Sequence, residues 1–263
     1  MVRTYVIAEI GINHKGDILL AEEMIRKAKQ SGADAVKFQT YITEKRVKKS
    51  DPLFPILKES ELSYENFEHL KGFADKTKID FISTPFDIES LHFLLMLDIP
   101  KIKISSFQTT DCKLLKEVAK SKKSVIVSTG MSNLLELTKV ALIFKDSDLS
   151  FLHCISSYPV CDEDLNFRRI KVLKSLFDCK VGFSDHSGDR SVAPYSVAFG
   201  AEIVETHFMT YSSAPAPDID VSLFEDEFSS MVEEIRRVEK MYGTKNFSIL
   251  DCEKPFIKYR RFS

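Results

Sequence analysis

The sequence lacks tryptophan and has only five cysteines among its 263 residues. The cysteines are odd in number and scattered, and none forms the CxxC pair typical of a zinc site. They are Cys112, Cys154, Cys161, Cys179 and Cys252. Because no signal peptide is visible in the first residues, this pattern predicts a reducing, cytoplasmic location.

The sequence also lacks a large net charge of either sign and long apolar runs. The net charge is −2, whereas proteins that bind nucleic acid usually carry a clustered basic surface. No apolar run approaches the roughly 20 residues that cross a membrane. The glycine motifs of dinucleotide and Walker-type phosphate sites are absent. We therefore expect neither a nucleic-acid nor a membrane partner.

Eight short apolar segments alternate with helical patterns along the chain. This count predicts a (β/α)₈ TIM barrel of the α/β class, as a single domain over residues 1–263. A doubly wound open sheet is the alternative, but it usually has about five or six strands. The predicted strands are Tyr5–Glu9, Asp34–Gln39, Ile79–Ser83, Lys101–Ser105, Ser124–Ser128, Leu149–Cys154, Lys180–Ser184 and Glu202–Thr206. Residues 41–63, which are charged and contain Pro52 and Pro55, are predicted to lie over one end of the sheet as a loop or short helices.

Two of the predicted buried strands have a lysine in their middle, Lys37 and Lys103. An unpaired buried ammonium is costly, so each lysine needs an anionic partner. That partner is either a barrel carboxylate, such as Glu9 or Asp185, or a ligand with two anionic ends. Both alternatives remain open from the residues alone.

Polar residues follow every predicted strand at its carboxyl end, where TIM barrels place their active sites. Two lysines among hydroxyl groups suit a small ligand that carries a phosphate and a carboxylate. Many of the hydroxyls could instead cap helices. His207 could ligate a metal or simply be hydrogen-bonded, and Asp185 with His186 could be an acid–base pair or a structural hydrogen bond.

These residues also lie in motifs that resemble those of the sialic acid synthase family. The resemblance runs from about residue 5 to the end of the chain, and its motifs keep the family's order. They are residues 7–17 (IAEIGINHKGD), 33–40 (ADAVKFQT), 83–87 (STPFD), 103–106 (KISS), 128–131 (STGM), 153–159 (HCISSYP), 182–186 (GFSDH) and 205–208 (ETHF).

The resemblance implies a synthase that condenses phosphoenolpyruvate with an N-acylated hexosamine-type aldehyde, giving a 2-keto acid and phosphate. It implies that Lys37 meets the carboxylate of phosphoenolpyruvate and that Gln39 and Tyr158 contact the sugar. The catalytic residues expected on this basis are Glu9, Lys37, Lys103, Asp185 and His186. The expected substrate-binding residues are Asn13, Gln39, Thr84, Ser106, Gln108, Ser128, Ser156 and Tyr158, of which Thr84, Ser106 and Ser128 would hold the phosphate with Lys103.

The acceptor side departs from the family pattern. Gln108 stands where the family usually has a glutamate, and Thr206 where lysine is usual. Ile219 stands where the resemblance places the second metal-ligating histidine, so His207 keeps its partner only if Asp218 or Asp220 substitutes. A divalent cofactor, manganese or magnesium, is therefore in doubt. The last residues resemble the stretch that leads into the family's carboxyl-terminal antifreeze-like domain, which we expect to be absent.

The first hypothesis is accordingly a phosphoenolpyruvate-dependent synthase with an altered aldehyde or sugar acceptor, acting in nonulosonic acid or surface polysaccharide biosynthesis. If no metal binds, His207, Asp185 or His186 would donate the proton to the aldehyde oxygen. The alternative is a degenerate, non-catalytic barrel that senses phosphoenolpyruvate or a sugar, or acts as a scaffold. A third is an aldolase that forms a Schiff base on Lys37 or Lys103. A barrel–barrel homodimer is compatible with each of them.

Overall fold

Eight parallel strands form a closed barrel in the computed structural model, which describes residues 3–261. Each strand pairs with the next along the chain, and β1 also pairs with β8, which closes the sheet. The strands are β1 Tyr5–Gly11, β2 Ala35–Thr40, β3 Asp80–Pro85, β4 Lys101–Ile104, β5 Ser124–Ser128, β6 Leu149–His153, β7 Lys180–Asp185 and β8 Ile203–Phe208. A two-residue strand, β9 Ser222–Leu223, extends the sheet beside β8. The predicted TIM barrel is confirmed, and the open-sheet alternative is wrong.

Helices follow the strands, and all of them except α2 and α3 lie around the outside of the barrel. They are α1 Ile18–Gln30, α2 Thr43–Arg46, α3 Phe54–Glu59, α4 Tyr64–Thr77, α5 Ile88–Met96, α6 Cys112–Lys120, α7 Leu134–Ile143, α8 Arg168–Leu176, α9 Val192–Ala198 and α10 Glu225–Tyr242. None of the helices within residues 3–261 is long and apolar enough to cross a membrane. The single-domain prediction for residues 1–263 also includes Met1, Val2, Phe262 and Ser263, which lie outside the described residues. It remains a prediction.

Short polar side chains fix where several helices begin. The Asp17 carboxylate accepts hydrogen bonds from the backbone N–H groups of Leu19 and Leu20. Asp87, Asp111 and Asn133 cap α5, α6 and α7 in the same way. These caps satisfy N–H groups that have no partner within the helix, and they place the strand-to-helix loops at the carboxyl ends of the strands.

The period-2 alternation of the strands sorts residues between the barrel interior and the helical layer. One buried cluster inside the barrel is formed by Ile7, Ala35, Ile82, Ile126, Leu152 and Ile203. Two residues further along the same strands come Glu9, Lys37, Thr84, Ser128 and Glu205, all buried. The interior is therefore apolar in its middle layer and polar at the carboxyl end of the strands.

Residues 41–63 fold as α2 and α3 with their connecting turns, as predicted. The Tyr41 hydroxyl donates a hydrogen bond to the Leu57 carbonyl at 2.9 Å. Tyr41 and Leu57 form a small apolar cluster with Ile12, which belongs to the loop after β1. The segment is thus packed against the carboxyl end of the barrel and forms one wall above it.

A glycine pair tests the packing of the barrel interior. A Cβ on Gly182 would lie 2.2 Å from the Ile203 carbonyl oxygen, whereas a Cβ on Gly72 in α4 would meet nothing within 4 Å. We expect Gly182→Ala to destabilise the fold by about 1–3 kcal/mol through overpacking. Gly72→Ala, the control, should stabilise it by about 0.5–1 kcal/mol because alanine favours the helix. Urea unfolding measures both, and equal effects would contradict this account of the interior.

Candidate active site

A cavity of about 610 Å³ opens at the carboxyl end of the strands. Its walls come from the strand ends, from α2 and α3, and from the loop after β8. Among the predicted site residues it is lined by Glu9, Lys37, Gln39, Thr84, Lys103, Ser106, Gln108, Ser128, Tyr158, His186, His207 and Asp218. The barrel thus gathers most of the predicted residues, from distant parts of the chain, around one cavity.

Both buried lysines have carboxylate partners within the protein. Lys37 Nζ lies 2.7 Å from Glu9 Oε2, and Lys103 Nζ lies 3.3 Å from Glu205 Oε1. Glu205 Oε1 also lies 3.8 Å from Lys37 Nζ, so the four side chains form one network. Internal ion pairs therefore account for the burial of both lysines without a ligand. Asp185, which the sequence offered as a partner, forms no ion pair with either lysine.

Glu205 is the residue that sequence reasoning missed. It belongs to a quoted motif, and its position two residues before His207 puts both side chains on the inward face of β8. Its Oε1 also accepts a hydrogen bond from the Ser184 hydroxyl at 3.1 Å. The inward register of a charged residue was a usable signal, but the sequence does not show which lysine it meets.

The members of the network differ in how their surroundings shift their pKa values. Burial raises the pKa of Glu205, but Lys103 and Lys37 outweigh it and hold the pKa at about 2. Burial lowers the pKa of Lys37, but Glu205 and Glu9 outweigh it and leave that pKa raised. For Lys103, burial and the nearby Lys37 charge prevail over Glu205, so its pKa is lowered. Lys103 is therefore the cation of the network with the most to gain from a further anion.

Hydroxyl groups converge beside Lys103. Lys103 Nζ donates to Ser128 Oγ at 2.6 Å, and the Gly130 N–H donates to Ser106 Oγ at 3.1 Å. A Cβ on Gly130 would lie only 2.3 Å from Ser156 Oγ and 2.7 Å from Ser106 Oγ, so only glycine leaves this cradle open. The buried hydroxyls of Ser156 and Thr84 make no hydrogen bond with residues 3–261. Buried polar groups normally have partners, so these hydroxyls suit an oxyanion.

Two histidines lie side by side in the cavity wall. The ring centroids of His186 and His207 are 5.7 Å apart. His186 Nδ1 donates to the Ile155 carbonyl at 2.6 Å, which leaves Nε2 as the available ligand atom. Burial and the adjacent His207 lower the pKa of His186 to about 4, which favours the neutral, ligating form.

His207 also has the partner that the sequence left undecided. Its Nδ1 lies 3.4 Å from Asp218 Oδ2, while Asp220 is exposed to solvent. Burial alone would lower the pKa of His207, but the Asp218 and Glu9 carboxylates outweigh it and the pKa is raised. No group of three or more His, Cys, Asp or Glu side chains within residues 3–261 is arranged to hold a metal ion. A divalent ion bound here would therefore depend on the two imidazoles, with Asp218 beside one of them.

Several predicted residues are engaged in holding the structure together. Asn13 lies outside the cavity lining, where its amide nitrogen donates to the Phe208 carbonyl and to Ser222 Oγ, and its oxygen accepts from the Asp218 N–H. It thus holds the segment that carries Asp218. The amide nitrogen of Gln108 donates to the Pro85 carbonyl at 2.6 Å, and its oxygen accepts from Ser105. The substrate-binding roles of Asn13 and Gln108 remain predictions.

The comparisons with known proteins place this site in a family. The model of the NeuB family matches residues 24–247. The chain belongs to the NeuB family. It is 36% identical to an N,N'-diacetyllegionaminic acid synthase of Legionella pneumophila, over 95% of the chain and 76% of that protein. It is 35% identical to a pseudaminic acid synthase of Campylobacter jejuni, over 99% of the chain and 80% of that protein.

A solved structure supports the membership of this chain in the NeuB family. An N-acetylneuraminic acid (sialic acid) synthetase from Leptospira borgpetersenii, crystallised with citrate, superposes with a TM-score of 0.94 at 34% identity. The alignment covers 98% of this chain and 91% of that one. The predicted family resemblance is confirmed.

Asp185 provides a test of the electrostatics beneath the cavity. Burial raises the pKa of its carboxyl to about 6, and Oδ2 has no hydrogen-bond partner among residues 3–261. Because the folded state then holds the proton more tightly than the unfolded state does, stability falls as the pH rises from about 4 to above 6. We expect Asp185→Asn to stabilise the fold at about pH 7.5 by about 2 kcal/mol more than at about pH 4.

Urea unfolding at the two pH values measures this difference. Asp178→Asn, which removes an exposed carboxylate, is the control and should behave alike at both. If the two variants have the same pH dependence, the buried carboxyl of Asp185 is not the cause.

Proposed function

We propose that this protein is a phosphoenolpyruvate-dependent synthase that joins phosphoenolpyruvate to a sugar aldehyde and releases phosphate. The observation that best supports this function is the cradle around Gly130, which the hydroxyls of Ser106 and Ser156 form beside Lys103. The proposal is supported by family membership and by relatives named as synthases of legionaminic and pseudaminic acids.

The donor would bind with its phosphate in this cradle. Lys103 and the hydroxyls of Ser106, Ser128 and Ser156 offer donors for the phosphate oxygens, and Lys37 lies within the same network for the carboxylate. Two anionic ends then meet two buried cations that the protein already holds in place. Such preorganised charge is worth more in a water-poor cavity than in solvent.

The bond-forming step would take place above the network, on the side of Gln39 and Tyr158. The alkene carbon of phosphoenolpyruvate attacks the aldehyde carbon, and the aldehyde oxygen takes up a proton. Water then adds to the second carbon of the donor, and phosphate leaves. Glu9 is the carboxylate at this face, and we assign it the role of accepting the proton of that water.

The histidine pair would hold a divalent ion. His186 offers Nε2 because its Nδ1 is bonded to a carbonyl, and His207 lies beside it against Asp218. A bound ion would polarise the aldehyde oxygen as a Lewis acid. His186, rather than the residue at 219, is then the partner of His207, so Ile219 does not argue against a cofactor.

A non-catalytic binding barrel remains the second candidate because of one observation. Gln108, which replaces the family's usual glutamate, has both ends of its amide bonded to neighbouring groups and supplies no acid or base. A binder would retain phosphoenolpyruvate affinity without releasing phosphate with any aldehyde. A Schiff-base aldolase would instead be trapped covalently by borohydride.

Binding of phosphoenolpyruvate is the first prediction from this function. We expect a calorimetric titration to show binding that Ser106→Ala weakens by about 10-fold and Lys103→Met by about 10- to 100-fold, since charge-assisted hydrogen bonds are lost. Lys101→Met removes a partly exposed lysine from the same strand and should leave the affinity unchanged. Because Lys103→Met leaves Glu205 with one cation fewer, its folding is checked by thermal unfolding. Absence of binding in the native protein would overturn the proposal.

Manganese binding is the second prediction. Electron paramagnetic resonance of free Mn²⁺ should show one site that His186→Gln and His207→Gln each weaken by about 10-fold or more. His69→Gln, at an exposed histidine, is the control. If only Asp218→Asn weakens binding, the ion is held without the histidine pair and that assignment is wrong.

A further inference from the structure

A half-buried arginine forms part of the cavity wall. Arg46 ends α2, and its guanidinium carbon lies 3.6 Å from the centre of the Phe86 ring and 4.7 Å from that of Tyr41. Its Nη1 donates to Gln39 Oε1 at 2.8 Å. Stacking and this hydrogen bond hold the group in one orientation, with most of its five N–H donors still available.

Arg46 differs from the other cations around the cavity in having no acid of its own. Lys37 pairs with Glu9, Lys103 with Glu205, and Lys45 at the rim with Glu89 outside the cavity. No carboxylate among residues 3–261 lies within 4.0 Å of the Arg46 guanidinium.

The two acids that act on Arg46 from further away are already engaged. Asp218 and Glu9 both favour its charged form, but Asp218 lies against His207 and Glu9 against Lys37. Burial still lowers the pKa of Arg46, so its charge is incompletely compensated. A guanidinium remains protonated under these conditions, and a partly desolvated one gains from a carboxylate or phosphate.

Arg46 lies on the side of the cavity where the second substrate, the acceptor, is proposed to bind. Its partner Gln39 lies two residues beyond Lys37 on β2, about 7 Å further toward the mouth of the cavity. The neighbouring wall is formed by Val47, Leu53 and Leu57 of the same segment. The hydroxyl cradle of the donor belongs to β4, β5 and β6 instead, on the other side of the barrel end.

We propose that Arg46 binds an acidic group, a phosphate or a carboxylate, carried by the acceptor away from its aldehyde carbon. The acceptor of this protein is accordingly an anionic sugar aldehyde. This inference rests on the proposed function, because it needs a second substrate beside phosphoenolpyruvate. Arg46 acts as a specificity-determining residue, and the chemistry remains with the strand residues.

Matched acceptors test the inference. An N-acylhexosamine, its 6-phosphate and its 6-carboxylate are compared by consumption of phosphoenolpyruvate. The three alditols, which lack the aldehyde and cannot react, are titrated calorimetrically in the presence of phosphoenolpyruvate. We expect the native protein to favour one anionic form over the neutral one by about 10- to 100-fold in kcat/KM and in affinity. Which anionic form is favoured identifies phosphate or carboxylate as the group.

Three variants locate the effect. Arg46→Gln should abolish the preference, mainly through KM, while the neutral acceptor changes by less than about threefold. Arg46→Lys should retain part of it, because a point charge remains but the planar fork is lost. Lys45→Gln removes one charge from the same helix and should keep the preference.

Other outcomes would overturn the inference. The inference is overturned if the native protein favours the neutral acceptor. It is also overturned if Arg46→Gln weakens all three acceptors equally, because Arg46 would then only shape the cavity wall or bind the N-acyl amide. If no anionic alditol binds, the inference falls whether or not phosphoenolpyruvate binds. If phosphoenolpyruvate itself does not bind, the proposed function has failed, and the alditol titrations without it decide the role of Arg46 separately.

Discussion

The site depends on the buried network of Glu9, Lys37, Glu205 and Lys103. Two carboxylates and two ammonium groups balance one another, and each lysine keeps a carboxylate within 3.3 Å. Such a network costs desolvation that its attraction barely repays, so it adds little to stability by itself. Removing one member leaves an uncompensated buried charge, which is strongly destabilising. The network therefore holds two ammonium groups at the carboxyl end of the strands, where the proposed anionic donor would meet cations that are already in place.

The barrel supplies the rigidity that this arrangement requires. Glu9, Lys37 and Glu205 each stand two residues beyond a member of the apolar layer, namely Ile7, Ala35 and Ile203. Lys103 pairs in register with Ile126 of the same layer, and neighbouring strands fix each of these registers. A shift of one residue would turn a charged side chain into the helical layer. The same alternation of side chains thus forms the apolar core and directs the charged groups into the barrel. Groups held on strands are placed more accurately than groups on loops.

The strands and the buried lysines could be predicted because their signals are local. Apolar runs of the right length predict the strands, and a lysine inside such a run is visible at once. The partners of Glu205 and the pairing of His186 with His207 could not be predicted from the residues, because they depend on contacts between side chains of different strands. The resemblance suggested Ile219 as a lost ligand position, whereas the structure brings His186 next to His207. Likewise Asp218, and not Asp220, faces the cavity because Asn13 holds its backbone.

The two halves of the cavity come from different kinds of structure, and this bears on how specificity can change. The half proposed for the donor consists of strand ends, where a side chain at Gly130 would collide with the hydroxyls of Ser156 and Ser106. The half proposed for the acceptor is formed largely by residues 41–63 and the loop after β8. A charged residue there, such as Arg46, would change the charge offered to a second substrate without disturbing the buried network, since Arg46 forms no ion pair with its members. Relatives are named as synthases of legionaminic, pseudaminic and N-acetylneuraminic acids. Such a separation would allow recognition to vary on the loops while the costly electrostatics of the strand ends stay the same.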